Sequence, residues 1–248
     1  MKMIWSKLPS RWIHERKLCA FSLAGSRPAA GRPAAGKSTG GVHAAALKLQ
    51  MALAMFASFR ALPADDAAGY ARLSFSELET LCDISRRSVA RGLAALEHHG
   101  LITTHAIGNA NRYLLAQFEL AGWAKLPRAH LLEDNRFRGL GLRGAASLNA
   151  LKLYLALVTF RPNQARHVQL SYDRIEHYTG IARPRIRHAI DVLLNHDWIS
   201  IGTHAVEPIG TDVTEHRKPT NVYILRGDFW GRPQQTYARA AVSIEPPF

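Results

Sequence analysis

One pattern of apolar and polar positions occurs twice along this chain of 248 residues. The first copy runs from Leu73 to Thr103 and the second from Leu170 to Ser200, and the two align without a gap. The apolar pairs that agree are Leu73/Leu170, Phe75/Tyr172, Leu78/Ile175, Ile84/Ile181, Val89/Ile186, Leu93/Ile190, Leu96/Leu193 and Ile102/Ile199. Because chance seldom keeps so many positions in register, the pattern predicts an internal repeat.

Each copy predicts a helix, a short turn, a second helix and a strand. Ser74 is placed to cap the first helix, and Glu77 three residues later completes a capping box. Ser171 is the matching cap in the second copy. We expect these helices to end at Cys82-Asp83 and at Thr179-Gly180, where Gly permits a left-handed turn.

The second helix of each copy carries an apolar stripe. Ser85 can cap the first of these helices, and Pro184 suits the first turn of the other because its missing N–H has no partner there. The stripes have helical spacing and comprise Val89, Leu93 and Leu96 in one copy and Ile186, Ile190 and Leu193 in the other. We expect the helices to end at Gly100 and Asp197, directly before a strand.

A hairpin is expected after each helix pair. Residues 103–115 fold back around Gly108-Asn109, and residues 200–225 form a hairpin with a longer and more polar tip. A helix-turn-helix followed by a hairpin is a winged helix-turn-helix. The chain is therefore predicted to be α+β and mainly α, with two tandem winged helix-turn-helix domains related by an internal repeat.

The repeat extends upstream of this central pattern. Trp5 to Pro9 resembles Trp123 to Pro127, and Leu47 to Leu53 resembles Leu151 to Leu157. The second of these similarities predicts an apolar first helix in each domain. The basic N-terminal segment is then expected to be a structural part of the first domain rather than a leader peptide.

The similarities set the expected domain boundaries. These are 1–118 for an N-terminal winged-helix domain, 122–226 for a C-terminal winged-helix domain and 227–248 for an extended tail that contains Trp230. Two insertions are expected in the first domain. One is a flexible basic segment at about 25–41, rich in Pro, Gly, Ala and Ser, and the other is shorter, at 61–72.

The formal net charge of +13 indicates a polyanionic partner, and nucleic acid is the usual one. The charge is uneven along the chain. Residues 1–43 carry eight Lys and Arg against one Glu, residues 44–122 carry seven against seven acidic residues, and residues 123–226 carry fifteen against nine. A basic surface that only aids solubility is the plainer interpretation, and the helix-turn-helix pattern favours DNA instead.

No constellation of catalytic residues is evident, so we expect no enzymatic activity, no cofactor and no metal. Gly31 to Ser38 matches a phosphate-loop pattern, but that mechanism needs a strand before the loop and a helix directly after it. An Arg, Pro, Ala and Gly run precedes the match and Thr-Gly-Gly follows it, which indicates low-complexity sequence. The adjacent His98 and His99 do not face each other on a helix, and Cys19 and Cys82 lack zinc-ligand spacing.

The expected location is the cytoplasm, in association with the bacterial nucleoid or a plasmid. No apolar run approaches the ~20 residues of a membrane span, so no membrane partner is expected. The basic N-terminus lacks the continuous apolar core of a secretory signal. Two distant cysteines favour a reducing compartment.

In a helix-turn-helix the second helix lies in the major groove, and its early residues meet base edges. Steps of about 100° per residue place Arg87 and Arg91 outward, where each can hold a guanine. In the second copy Arg185 and His188 are the expected base readers, although Asp191 also points outward. A solvated helix face is the alternative interpretation. The full set expected to contact DNA comprises Arg86, Arg87, Ser88, Arg91, Arg112, Arg183, Arg185, Arg187, His188, Arg217 and Lys218.

Two winged helices in one chain, each entered through a short strand and a first helix, resemble the tandem winged-helix replication initiators of plasmids and related mobile elements. The resemblance covers roughly residues 4–226 and rests on architecture and on the repeated helix-turn-helix, without a diagnostic short motif. It implies one chain that mimics a dimer. The C-terminal domain would dominate in reading repeated origin sites, while the N-terminal domain would make weaker contacts, mediate dimerisation or meet replication proteins.

The resemblance implies double-stranded DNA as the partner, bound in the major groove at repeated or palindromic sites. A host replicative helicase or initiator is a further expected partner. A winged-helix transcriptional regulator is the close alternative, because only the neighbouring DNA and the partner separate the two. A winged-helix protein that contacts other proteins without any DNA role is a third hypothesis. The sequence does not define the recognised DNA site or the domain that provides specificity. It also allows a homodimer away from DNA.

Overall fold

Helices and short antiparallel strands alternate along the chain, in a similar order in its two halves apart from one extra short helix in the second. The computed structural model describes residues 4–22, 40–60, 68–107, 110–202 and 221–230. We call residues 4–118 the first half and residues 122–230 the second half. The protein is α+β and mainly helical, which confirms the predicted class.

The elements of the first half, in chain order, are β1 (Ser6–Pro9), α1 (Arg11–His14), a 3-10 turn (Lys17–Ala20), α2 (Gly40–Phe56), β2 (Tyr70–Arg72), α3 (Phe75–Cys82), α4 (Arg86–His98), β3 (Ile102–Ile107) and β4 (Ala110–Leu115). Those of the second half are β5 (Trp123–Leu126), α5 (Arg128–Leu132), a 3-10 turn (Glu133–Asn135), α6 (Arg136–Gly139), α7 (Gly144–Phe160), β6 (His167–Gln169), α8 (Tyr172–Thr179), α9 (Arg183–Asn195), β7 (Ile199–Gly202) and β8 (Val222–Leu225).

Helices α2 and α7, of 17 residues each, pack against each other at the centre of the protein. Both are apolar around nearly their whole circumference, and residues 44–55 and 147–159 are buried. A helix that is apolar on all sides needs other elements to cover it. The predicted apolar first helix of each domain is therefore present at both places.

Helices α4 and α9, of 13 residues each, cover α2 and α7 respectively. Their buried sides include the predicted stripes, which are Val89, Leu93 and Leu96 on one helix and Ile186, Ile190 and Leu193 on the other. The close approach of α4 to α2 depends on Gly92, because a Cβ there would lie 2.6 Å from Leu49 Cδ1. The stripes leave the opposite face of each helix exposed.

The predicted ends of the preceding helices are confirmed. Ser74 Oγ accepts a hydrogen bond from the backbone N–H of Glu77 at 3.2 Å, and the Glu77 carboxylate accepts from the Ser74 N–H at 2.7 Å. Ser171 caps α8 in the same way, without the reciprocal bond. Asp83 and Gly180 end α3 and α8 with left-handed φ angles of 51° and 65°.

Each half contains a three-stranded antiparallel sheet, with the strand orders β2-β4-β3 and β6-β8-β7. Strands β3 and β4 form the first predicted hairpin, whose turn residues 108–109 lie outside the described residues. The interpretation of residues 61–72 as an insertion is wrong for its end, because Tyr70–Arg72 forms β2, which takes the place in its sheet that β6 takes in the second half. Three residues show too little alternation to identify a strand from sequence.

A two-stranded antiparallel sheet joins the halves, since β1 pairs with β5. Lys7 lies opposite Lys125, and Trp5 stacks on Trp123 with ring centroids 5.9 Å apart. Each lysine lies over the tryptophan of the other segment: Lys125 Nζ is 4.9 Å from the Trp5 ring centroid and Lys7 Nζ is 5.9 Å from the Trp123 ring centroid. The matching segments at the start of each half therefore contact each other.

Two further contacts cross between the halves in a reciprocal way. The turn Lys17–Ala20 packs on α8, and α6 packs on α3. Arg16 Nε donates to the main-chain oxygen of His177 at 3.0 Å, and Arg138 forms an ion pair with Asp83 at 3.6 Å. The expected boundary at 118–122 falls just before β5, while one hydrophobic core continues across it.

The chain after β8 is anchored by Phe229, which is fully buried, whereas Trp230 is half exposed. The Arg161 guanidinium lies 4.0 Å from the Phe229 ring centroid, and Lys125 Nζ donates to the Phe229 oxygen at 3.0 Å. The segment that the sequence interpretation treats as an extended tail therefore begins inside the fold. Residues 231–248 lie outside the described residues.

Candidate nucleic-acid interface

The outward face of α4 carries arginines near the start of the helix. Ser85 Oγ accepts a hydrogen bond from the Ser88 N–H at 3.3 Å and so caps this helix. The exposed positions include Arg87, Arg91, Ala94 and His98, as the helical rotation predicts. Within the described residues, no carboxylate lies at ion-pair distance from either of these arginines. Two neighbouring positive charges thus face solvent.

Arg86 and Arg183 stand at the first position of α4 and α9, and each contacts a carboxylate and the first aromatic residue of the preceding helix. Arg86 forms an ion pair with Glu79 at 3.6 Å, and its guanidinium lies 5.1 Å from the Phe75 ring centroid. Arg183 forms an ion pair with Asp173, and its guanidinium lies 6.0 Å from the Tyr172 ring centroid at the start of α8. Both arginines hold the second helix of a pair to the first, so their role in the fold competes with the expected phosphate contact.

Helix α9 presents a denser basic face than α4. Arg185, Arg187 and His188 are exposed, and no described carboxylate lies at ion-pair distance from the two arginines. Asp191 is exposed one turn after Arg187. A carboxylate at this position lowers the positive charge of the face.

Arg112 belongs to a basic row that crosses the sheet β2-β4-β3. It lies opposite Arg72 on one side and His105 on the other. Arg72 and His105 are exposed, while the half-buried Arg112 lies with its guanidinium 5.7 Å from the Tyr70 ring centroid. The matching positions in the second sheet are Gln169, Val222 and Gly202. Sequence reasoning finds Arg112 alone, because the row exists only once the strand register is known.

A cleft of about 670 Å³ lies beside the first turns of α4. Arg87, Ser88 and Arg91 line it from the first half, and Arg143 lines it from the segment that enters α7 in the second half. The structure thus brings three of the four predicted α4 residues together with an arginine that sequence reasoning missed. The segment 139–144 reads as a loop, and no pattern within it indicates that α4 is near.

Other predicted features lie outside the described residues. These are Arg217 and Lys218 of the second hairpin and the phosphate-loop match at 31–38. Within the described ranges, no group of three or more His, Cys, Asp or Glu side chains is arranged to hold a metal ion. None of the helices described is long and apolar enough to cross a membrane.

Comparisons of the chain with protein-family models, with curated proteins and with solved structures find no match. The functional interpretation therefore depends on the residues and their geometry. That geometry consists of two exposed basic helix faces, one in each half, and one basic cleft beside α4.

Proposed function

We propose that the protein is a sequence-specific double-stranded DNA-binding protein with a winged helix-turn-helix unit in each half, the two units being copies of one ancestral unit. One observation carries the proposal. Helices α4 and α9 are the second members of matching helix pairs, and both expose basic residues in their first two turns. In a helix-turn-helix these positions face the base edges of the major groove.

The chemistry of the exposed side chains supports this assignment. Arg87 and Arg91 are one helical turn apart, and a guanidinium can donate two hydrogen bonds to O6 and N7 of guanine. Arg187 is suited to a phosphate, which positions the protein without reading sequence. Arginines without a carboxylate partner among the described residues gain most from a polyanion, because each phosphate contact also releases a counterion.

The contacts between the halves support a single composite DNA site. The pairing of β1 with β5 and the packing of α6 on α3 hold the two halves to one core, so α4 and α9 keep a fixed relation. Two recognition helices in one chain can bind two segments of a duplex. Helix-turn-helix proteins with one recognition helix per chain bind two such segments as dimers. A monomer is therefore the expected DNA-bound form.

Within this class we assign the protein to replication initiation of a plasmid or related mobile element, on the resemblance in architecture. It would bind repeated origin sites and recruit the host helicase or initiator, without enzymatic activity of its own. Its place of action would be the bacterial cytoplasm, on the plasmid or nucleoid. A transcriptional regulator would use the same two helices.

Selection of duplexes from a random library by the full chain tests DNA recognition directly. We expect an enriched sequence with two elements about one helical turn apart, since each reading helix spans one major-groove segment. A plasmid that carries only this gene and its flanking DNA should then be maintained in a host. An enriched sequence with repression of a nearby promoter and no maintenance would assign the regulator instead, and recovery of no sequence would contradict both.

A further inference from the structure

The cleft beside α4 is built from both halves of the chain. Arg87 and Arg91 come from α4, Arg143 from the segment before α7, and Val192 and His196 from α9. Its volume of about 670 Å³ lies within the range of ~300–1,000 Å³ of small-ligand sites. A space of this size between two halves can accept more than a water molecule.

The charged side chains of the cleft are predominantly positive. Arg87, Arg91 and Arg143 are exposed and have no carboxylate at ion-pair distance within the described chain. Asp83 also lines the cleft, but its carboxylate is paired with Arg138 at 3.6 Å. Three arginines around one space repel one another, and an anion between them removes that repulsion.

A second feature adds to the positive potential of the cleft. The N-terminus of α7 opens there through Arg143 and Ser147, and the Arg143 side chain does not cap it. The Ser147 hydroxyl donates to the Arg143 main-chain oxygen, so it does not cap the helix either. Unpaired N–H groups at a helix N-terminus favour phosphate.

The rest of the lining is apolar or neutral. Ile84, Leu140, Leu142 and Val192 contribute aliphatic surface. Burial, and then the charge of Lys48, lower the pKa of His196, so its imidazole is neutral near pH 7. Arginines beside an aliphatic wall suit a ligand that carries both a phosphate and a less polar part, as a nucleotide unit does.

We propose that this cleft binds a nucleotide unit, with its phosphate held by Arg143 and the rest of the unit beside Arg87 and Arg91. The nucleotide unit is either part of a DNA strand or a free nucleotide. In the first case the proposal rests on the proposed function and makes Arg143 a phosphate contact supplied by the second half to the DNA read by α4. In the second case the free nucleotide contacts the same α4 arginines that are proposed to contact DNA bases, so the two ligands compete.

Arg143→Ala is the direct test, because the side chain is exposed and makes no cap. Two probes are titrated against the full chain: a mixed-sequence duplex at several salt concentrations, and a fluorescent ATP analogue with pyrophosphate as competitor. Arg11→Ala is the matched control, since Arg11 is an exposed arginine paired with Glu15 that does not line the cleft. Arg143→Lys should restore part of any loss, because it keeps the charge without the planar fork.

If the phosphate belongs to DNA, Arg143→Ala makes the slope of log affinity against log salt shallower by about one. If it belongs to a free nucleotide, wild type binds the analogue and Arg143→Ala weakens that binding about tenfold, the usual loss of one charge-assisted contact. Unchanged duplex binding together with no analogue binding overturns the cleft proposal. The proposed function survives that result if Arg87→Ala with Arg91→Ala still weakens duplex binding.

Discussion

Lys48 on α2 donates a hydrogen bond of 2.6 Å from Nζ to the main-chain oxygen of Leu140, across the boundary between the two halves. Lys152, the matching residue on α7, donates to the main-chain oxygen of Phe21 at 3.0 Å in the opposite direction. Both lysines are buried, and each binds the main chain of the other half at a point upstream of that half's central helix. The halves are thus joined by polar bonds inside a shared core.

These two lysines predict a pH-dependent stability. Burial lowers the pKa of Lys48 and of Lys152 from the usual 10.5 to about 8. Between those values the unfolded chain binds more protons than the folded chain, so the free energy of unfolding rises with pH. The gain is absent below about pH 8, where both states are protonated, and is complete above the pKa of the unfolded chain. Urea denaturation at pH 8 and pH 10 measures it.

Lys48→Met separates this effect from other titrations. We expect the rise in unfolding free energy between pH 8 and pH 10 to be smaller than in wild type by on the order of 1–2 kcal/mol. Lys17→Met is the control, because Lys17 is exposed and paired with Glu15, and its slope should match wild type. If the free energy of unfolding rises equally with pH in all three proteins, burial does not lower the pKa of Lys48.

Gly92 predicts how closely α4 must approach α2. An added Cβ would lie 2.6 Å from Leu49 Cδ1 and 3.1 Å from the main-chain nitrogen of Ala46, so the Leu49 side chain and the helix backbone would both have to shift. Gly92→Ala should therefore lower the free energy of unfolding by about 1–3 kcal/mol. Gly41→Ala is the matched control, because nothing lies within 4 Å of its added Cβ. Thermal unfolding should place Gly41→Ala at or slightly above wild type, and equal loss in both variants would contradict this packing.

Arg86 and Arg87 are adjacent on α4 and should behave differently. Arg86 is held by Glu79 and Phe75, whereas Arg87 has no described carboxylate partner. Arg87→Ala should weaken duplex binding more than Arg86→Ala and leave stability within about 0.5 kcal/mol of wild type. Paired measurements of duplex affinity and thermal midpoint check this. A larger loss of affinity in Arg86→Ala would make that arginine the principal DNA contact.

Local rules predict much of this fold from sequence. The Ser74 capping box, the stripe that includes Val89 and the left-handed ends of the helices depend on a few neighbouring residues, so they can be read from the chain. The outward position of Arg87 and Arg91 follows from the same stripe. The spacing of residues along the helix predicts which side chains are exposed, but it does not identify the molecule that they bind.

The features that sequence reasoning missed depend on contacts between distant segments. Nothing in Trp5 to Pro9 indicates that its partner strand is the matching segment at Trp123, because a strand of four residues fits many partners. Arg143 lines the α4 cleft because the second half packs on the first through α6 on α3 and α7 on α2. Phe229 and Trp230 are adjacent aromatic residues, and of the two Phe229 is the buried one, against the Arg161 guanidinium.

A titration with one selected duplex shows whether α4 and α9 read DNA. A duplex recovered by selection is titrated by fluorescence anisotropy with wild type, with Arg87→Ala/Arg91→Ala and with Arg185→Ala/His188→Ala. Each double variant should bind at least about tenfold more weakly and lose sequence preference, since one bidentate base contact contributes about 1–3 kcal/mol. Affinity and sequence preference unchanged in both double variants would show that neither helix reads DNA.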